Sequence, residues 1–213
     1  SALPSIIGGN TSGATAISSV TVEAPDLHIW QLVDGSWSVE KLVKPSDPNK
    51  SGSFDGDITI NNGRVALRTK DGIKRNVEKL DGTVALNMSG MSKGAFTADI
   101  DGSSVLVNGN IDMDDVSNFD VFVQADEIDM AGIMSFVPLR KDLVVSKGKL
   151  QDLHLNIKSE DGQYVMSGNV GFKGLSGTYK RGNTTYTITD GEGRIMLNHD
   201  QIVISHSSWR VND

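Results

Sequence analysis

Cysteine is absent from this chain of 213 residues, and aromatic residues are scarce at 6%. The lack of cysteine excludes disulfides, thiolate nucleophiles and Cys-ligated zinc or iron–sulfur sites. No apolar run approaches the roughly 18 residues that a transmembrane helix needs. Lys and Arg number 20 against 27 acids, and the net charge of −7 argues against nucleic acid or an anionic membrane surface as the main partner. Any basic patch therefore has to be local.

Glutamate is also rare, because the acids are 21 Asp and only 6 Glu. Aspartate favours turns, whereas glutamate favours helices. Glycine is abundant at 23 residues. Asp-Gly occurs seven times and Asn-Gly twice, and these dipeptides are strong signals for tight β-hairpins. The composition predicts a chain with many reversals and little helix.

Four two-residue loops test this interpretation, because such a loop fixes which residues lie opposite each other. The loops are Asn62-Gly63, Asp101-Gly102, Asp161-Gly162 and His199-Asp200. The pairs they predict are Ile60 with Val65, Ile58 with Leu67, Ala98 with Val105, Phe96 with Val107, Ile157 with Met166, Leu153 with Val170, Leu197 with Ile202, and Ile195 with Ile204. Each hairpin has one aliphatic face and one small or polar face, which is typical of an antiparallel sheet with one buried side.

The sequence therefore predicts an all-β fold, built mainly from one antiparallel sheet that forms a single elongated domain over residues 1–213. Two short helical segments are expected, one at Ile128–Val137 before Pro138 and one turn at Val39–Lys44. Residues 45–52 read as a loop. The chain has no leader or terminating feature, so we expect it to be an internal piece of a longer protein.

Motifs for enzyme or metal chemistry are weak. Gly90-Met-Ser92-Lys-Gly94 matches the G-x-S-x-G pattern, but β-strand patterns flank it where a strand-to-helix turn is required, so a polar loop is favoured. Asp112, Asp114, Asp115 and Asp120 lack the glycine and closing glutamate of a calcium loop and are interpreted as a solvated acidic loop. We expect no catalytic residue, no metal and no cofactor.

The aliphatic face of the sheet is the feature that these exclusions leave. A sheet face has to be covered by another layer, yet little helix is predicted to cover it. A sheet curled into a groove or open barrel solves the problem, and the sequence pattern is the same for an open groove and a packed core. The residues predicted to line this face are Ile58, Ile60, Val65, Leu67, Val84, Leu86, Phe96, Val105, Val107, Leu153, Leu155, Ile157, Met166, Val170, Ile195 and Leu197.

Several segments resemble the AsmA and TamB families of bacterial envelope proteins. The first is Val20-Thr-Val-Glu-Ala-Pro-Asp-Leu-His-Ile-Trp30, followed by Asp34-Gly-Ser-Trp37 and Leu42. Further segments similar to TamB are Asp126-Glu-Ile-Asp-Met130, Phe136-Val-Pro138, and Gly148-Lys-Leu150 with Leu153, Leu155, Ile157, Gly168 and Tyr179. The resemblance spans nearly the whole chain.

This resemblance implies a long periplasmic protein, anchored in the inner membrane by a part outside this chain, whose folded-over sheet has a hydrophobic interior. The implied role is phospholipid transport or outer-membrane protein assembly, with acyl chains or an outer-membrane β-barrel assembly protein as partners. Two alternatives stay open. One is an assembly chaperone that pairs its sheet edge with an unfolded strand. The other is an extracellular carbohydrate-binding or adhesion domain that uses Trp30, Trp37 and Asn-rich loops.

Overall fold

The computed structural model describes residues 18–38, 55–87, 90–130, 142–160, 163–198 and 201–212. These residues form one sheet of eleven strands. In chain order the strands are β1 (Ser19–Glu23), β2 (Asp26–Trp30), β3 (Gly56–Arg68), β4 (Lys74–Leu86), β5 (Met91–Ile100), β6 (Ser103–Asp112), β7 (Phe119–Asp129), β8 (Leu143–Glu160), β9 (Gln163–Arg181), β10 (Thr184–Asn198) and β11 (Gln201–Asn212). The all-β prediction is confirmed.

The sheet is a simple meander with one unusual edge. From β3 to β11 every strand pairs antiparallel with the next strand in the chain. The short strands β1 and β2 lie one after the other along β3 and run parallel to it, which the turn signals did not predict. Among the described strands β11 pairs only with β10, so the curled sheet stays open and does not close into a barrel.

Three of the four predicted hairpin registers are found at their loops. The confirmed pairs are Ala98 with Val105, Phe96 with Val107, Ile157 with Met166, Leu197 with Ile202, and Ile195 with Ile204. Residues 161–162 and 199–200, at two of these loops, lie outside the described residues. Alternation of apolar and polar residues was therefore sufficient to fix register at these three hairpins.

The hairpin predicted at Asn62-Gly63 is wrong. Both residues lie inside β3, where Ile60 pairs with Gly82 and Val65 with Val77 of the next strand. Asn62 has a φ of 50°, and the register shifts on both sides of Gly63, which marks a β-bulge. An Asn in the left-handed region followed by Gly suits a bulge as well as a turn, so the dipeptide alone does not separate the two.

Two other predicted pairs change for related reasons. Because β3 continues through the bulge, Ile58 pairs with Val84 and Leu67 with Arg75, and they do not pair with each other. In β8 a second bulge, with Asp152 at a φ of 49°, places two residues opposite one. Leu153 therefore lacks the regular pairing with Val170 that was predicted, although both residues remain in one buried cluster.

Bulges are aligned in neighbouring strands, and this alignment gives the sheet its curvature. Ala24, Asn62 and Lys79 have φ values of 46°, 50° and 49° and lie at matching heights beside and along β3 and β4. A second row crosses β8 to β11 at Gly148, Gly174, Asp190 and His206. Each bulge bends its strand and increases the right-handed twist. Two rows of bulges therefore fold a single sheet over its apolar face.

The helix predicted at Ile128–Val137 is wrong in its first residues. Strand β7 continues to Asp129, and Ile128 is buried in the sheet core, where it pairs with Leu150 of β8. Residues 131–137, the turn at Val39–Lys44 and the loop at 45–52 lie outside the described residues. Within the described ranges no helix is long and apolar enough to cross a membrane.

The bulge at Asn62 gives a stability test of this curvature. Replacing Asn62 by Val puts a β-branched residue at a positive φ and should lower the free energy of unfolding by about 1–2 kcal/mol. Asn62→Gly should be close to neutral, because glycine adopts this conformation without strain. Urea unfolding followed by circular dichroism measures both. Thr97→Val, at a regular and exposed position of β5, is the control, with an expected change below about 0.5 kcal/mol. Equal stability of Asn62→Val and the parent chain would contradict the bulge.

Candidate functional site

The apolar face continues without interruption from strand to strand. Directly paired residues share a face of the sheet. One row contains Ile58, Val84, Gly94, Gly109, Val121, Ile157 and Met166. The next row contains Ile60, Gly82, Phe96, Val107, Val123, Leu155, Gly168, Leu197 and Ile202. The second row spans the nine strands from β3 to β11.

Part of this face closes into a core. The buried cluster contains Val105, Ala125, Ile128, Leu153 and Val170, at 3–7% exposure. Half-buried side chains packed against it are Ile100, Val107, Val123, Leu150, Leu155 and Ile195. The curled sheet thus covers its own apolar face here, along a band from the end of β5 to β10.

The rest of the face forms an open trough. A cavity of about 430 Å³ lies over β4 to β7 and is walled by aliphatic and aromatic side chains. We call this cavity the trough, and its apolar walls are Val84, Leu86, Phe96, Val107, Ile111, Met113, Phe119 and Val121. Its volume is in the usual range for small-molecule sites, although such sites normally also contain a few polar groups.

Two glycines form the floor of the trough. Gly94 and Gly109 pair directly across β5 and β6, between Val84 on one side and Val121 on the other. A Cβ added at Gly94 would lie 3.2 Å from side-chain carbons of Phe96 and Val84, so a side chain here would crowd two walls of the trough. A Cβ added at Gly109 would meet the backbone of Asp120 and Val121, so this glycine allows β6 and β7 to pair closely beneath the trough.

The sixteen residues predicted to line the face divide into three groups. Val84, Leu86, Phe96 and Val107 wall the trough. Val105, Leu153 and Val170 are core residues, with Leu155 and Ile195 packed against them. The remaining residues lie outside both sets, half-buried except for Met166 at 44% exposure, and they are Ile58, Ile60, Val65, Leu67, Ile157, Met166 and Leu197. The predicted face is thus partly closed core and partly open trough.

Sequence reasoning missed the far wall and the floor of the trough. The far wall includes Phe119 and Val121 of β7, and the floor is the pair of Gly94 and Gly109. Apolar residues alternate with polar ones at 119–121 and could have revealed the far wall. No tight turn precedes β7, however, so no loop fixed its register in the sequence. The glycine floor has no hydrophobic signal at all.

Ser92 lies in β5 at the end of the trough, and not in the polar loop that was predicted. It is buried at 2% exposure. Its hydroxyl donates to the Asn87 carbonyl oxygen at 3.2 Å and accepts from the Asn87 backbone N–H at 2.9 Å. The hydroxyl thus links β5 to the residue that follows β4, and its proton and one of its lone pairs are both used in bonds to the backbone of Asn87.

Two of the acidic residues between β6 and the start of β7 accept hydrogen bonds from neighbouring side chains. Asp115 accepts from the Ser117 hydroxyl and backbone N–H at 2.6 and 3.1 Å, and these bonds lower the pKa of Asp115. Asp120 accepts from the Asn156 amide at 2.6 Å. In the part of the chain that the structure describes, no three His, Asp or Glu side chains converge as a metal site requires.

One ion pair on the outer face shifts the pKa of both partners. Glu127 of β7 accepts hydrogen bonds from Lys149 and Gln151 of β8, and these lower the pKa of Glu127, with Lys149 contributing most. The hydrogen bond to Glu127 raises the pKa of Lys149. Both side chains are solvent-exposed, so this pair joins two strands on the face away from the trough.

The three tryptophans differ in environment. Trp209 of β11 lies against Phe172, with ring centroids 5.0 Å apart, and covers Gly191. Trp30 at the end of β2 is 50% exposed. Trp37 is half-buried in a bridge with Gln31. A sugar-stacking platform needs exposed rings, and of the two residues predicted for one, only Trp30 is strongly exposed.

Comparison with known proteins finds no matching family, no matching curated protein and no matching solved structure. The resemblance to the AsmA and TamB families therefore stays a prediction. The interpretation of the trough depends on its geometry and chemistry.

The division of the apolar face into core and trough predicts unequal costs of truncation. Leu153→Ala removes a buried side chain and should lower the free energy of unfolding by about 3 kcal/mol. Leu86→Ala removes a half-buried side chain from the trough wall and should cost about 1 kcal/mol. The cost is smaller because folding removes less of the apolar surface of Leu86 from water than of Leu153. Urea unfolding compares the two with identical chemistry. If Leu86→Ala costs as much as Leu153→Ala, the trough is a packed core.

Proposed function

We propose that this chain is a segment of a periplasm-spanning lipid-transport conduit, in which the trough shields phospholipid acyl chains between the inner and outer membranes. The observation that supports this proposal is an apolar face, continuous over nine strands, that curls only far enough to cover its middle. The cellular location follows from the resemblance to the TamB family, and the binding chemistry follows from the trough.

The energetics favour an acyl chain as the occupant. Exposing a chain of about 16 carbons to water costs on the order of 10 kcal/mol, at about 0.8 kcal/mol per CH₂ group. The side chains that face the trough are aliphatic or aromatic, apart from Ser92, whose hydroxyl is already bound to Asn87. Lys93, Asn108 and Asn110 also border the cavity, but alternation directs their side chains to the other face. Apolar contact of this kind is non-directional. We therefore expect little discrimination among lipids by headgroup.

The floor of the trough provides the sharpest test. In Gly94→Leu the new side chain projects between Phe96 and Val84 and should fill the cavity. We expect this variant to bind a fluorescent 16-carbon fatty acid at least tenfold more weakly than the parent chain. Ala95→Leu adds a larger side chain at the exposed neighbouring position, where alternation directs it to the other face. Its affinity should stay within twofold of the parent value.

Photo-crosslinking then identifies the natural occupant. A benzoylphenylalanine at Phe96 faces the trough, and the same residue at Thr97 faces outward. After irradiation of the chain expressed in a bacterial envelope, mass spectrometry should find phospholipid attached at position 96 and not at 97. Capture of phospholipid at neither position, by a folded chain, would overturn the proposal, and so would equal binding of the fatty acid by Gly94→Leu and the parent.

The open edge of the sheet favours the outer-membrane assembly chaperone as a second candidate. Strand β11 pairs only with β10 among the described strands, and Ile202 and Ile204 are 72% and 53% exposed. A long apolar edge strand is a template for pairing with another chain. Ile202→Lys should weaken pairing with an unfolded outer-membrane β-strand peptide. The same variant should leave fatty acid binding in the trough unchanged.

A further inference from the structure

One corner of the sheet is basic although the chain as a whole is acidic. Between positions 64 and 79 there are six Lys or Arg and two acids, a net charge of +4 within a chain of −7. This segment forms the end of β3, the turn that follows and the start of β4. The strands place these charges close together, so the acidic composition of the whole chain does not describe this surface.

Besides Arg64, three of these cations lack an acidic partner among the described residues. Arg75 and Lys79 form ion pairs with Asp101 and Asp99 at 3.4 and 3.3 Å. By contrast, Arg68, Lys70 and Lys74 are exposed and form no ion pair within the described residues. Their charge is therefore available to an external anion.

The register brings two of these charges directly opposite each other. Arg68 of β3 pairs with Lys74 of β4, and on its other side Arg68 pairs with Trp30 of β2. Like charges at directly opposed positions destabilise a sheet. An anion bound between Arg68 and Lys74 would relieve the repulsion. The pair also borders a cavity of about 350 Å³ on the outer face, together with His28, Trp30 and Asn76.

Exposed apolar side chains lie at the same corner. The turn after β2 and the turn after β3 are adjacent, because the Gln31 backbone N–H donates to the Arg68 carbonyl oxygen at 2.8 Å. Val33, at the tip of the first turn, is 95% exposed, and Trp30 before it is 50% exposed. Ile73 closes the second turn by accepting from the Thr69 backbone N–H, and it is 37% exposed. We call the set of Trp30, Val33, Arg68, Lys70, Ile73 and Lys74 the basic corner.

We propose that the basic corner docks this protein on the surface of a bilayer that contains anionic phospholipids. Cations near such a surface are attracted by the lipid phosphates, and tryptophan is enriched at the level of the headgroups. Val33 and Ile73 would enter the interface beside them. Nucleic acid explains the cations but gives no role to two exposed aliphatic tips, so a bilayer fits the whole set better.

Vesicle sedimentation tests the proposal. The parent chain should bind vesicles of phosphatidylcholine and phosphatidylglycerol at low salt, bind pure phosphatidylcholine vesicles much more weakly, and dissociate as salt rises. The double variant Arg68→Gln/Lys74→Gln should bind the anionic vesicles about 30-fold more weakly, at about fivefold per cation. The control Lys180→Gln/Arg181→Gln removes two exposed cations beside the β9–β10 turn and should bind within twofold of the parent.

Three further measurements separate docking on a bilayer from a structural role of the cations, from acyl binding in the trough, and from binding of RNA. Thermal unfolding of Lys74→Gln should occur at a higher temperature than that of the parent, because the opposed like charges are removed. Gly94→Leu should bind the anionic vesicles as the parent does, because it changes only the trough. A failure of docking can therefore be told apart from a failure of acyl binding. Absence of binding to anionic vesicles, an equal loss in the control variant, or tighter binding of a single-stranded RNA oligonucleotide than of the vesicles would each overturn the proposal.

Discussion

The described part of the structure depends on one constraint, which is that a single sheet with one apolar face covers that face by itself. In the described residues all the regular elements are strands of this sheet, and no second layer lies over them. Curling is the available solution, and it is unequal along the sheet. In a band from the end of β5 to β10 the sheet is bent enough to bury Val105, Leu153 and Val170. Over β4 to β7 the same face stays open around Gly94 and Gly109. The core and the trough therefore differ in how strongly the same sheet is curved, with the stronger curvature at the core.

The sequence shows which face is apolar but not how strongly the sheet bends. Alternation placed Phe96 opposite Val107 and Ile157 opposite Met166 correctly, because a register error would move every side chain to the other face. Bending depends on bulges, and Asn62-Gly63 has the composition of both a bulge and a hairpin turn. A short turn and a bulge both need a residue that tolerates positive φ. Tertiary pairing decides between them.

The trough was partly predictable for a similar reason. Val84 and Phe96 belong to hydrophobic patterns and were predicted to line the apolar face, and both wall the trough. Gly94 and Gly109 also line the trough, and hydrophobic periodicity does not detect glycine. The parallel pairing of β1 and β2 with β3 was missed because a parallel pair requires a long connection, and no local turn signal marks it.

The trough and the basic corner divide two kinds of recognition between them. Aliphatic walls bind acyl chains with little directionality, so they give affinity without selecting a headgroup. A surface with Arg68 opposite Lys74 favours anionic ligands. Without a bound anion the two like charges repel each other. Like charges are normally avoided at directly paired positions of a sheet. Exceptions of this kind are typical of functional positions. Under both proposals the basic corner would bind membranes that contain anionic lipids, and the trough would bind acyl chains from those membranes with little selectivity.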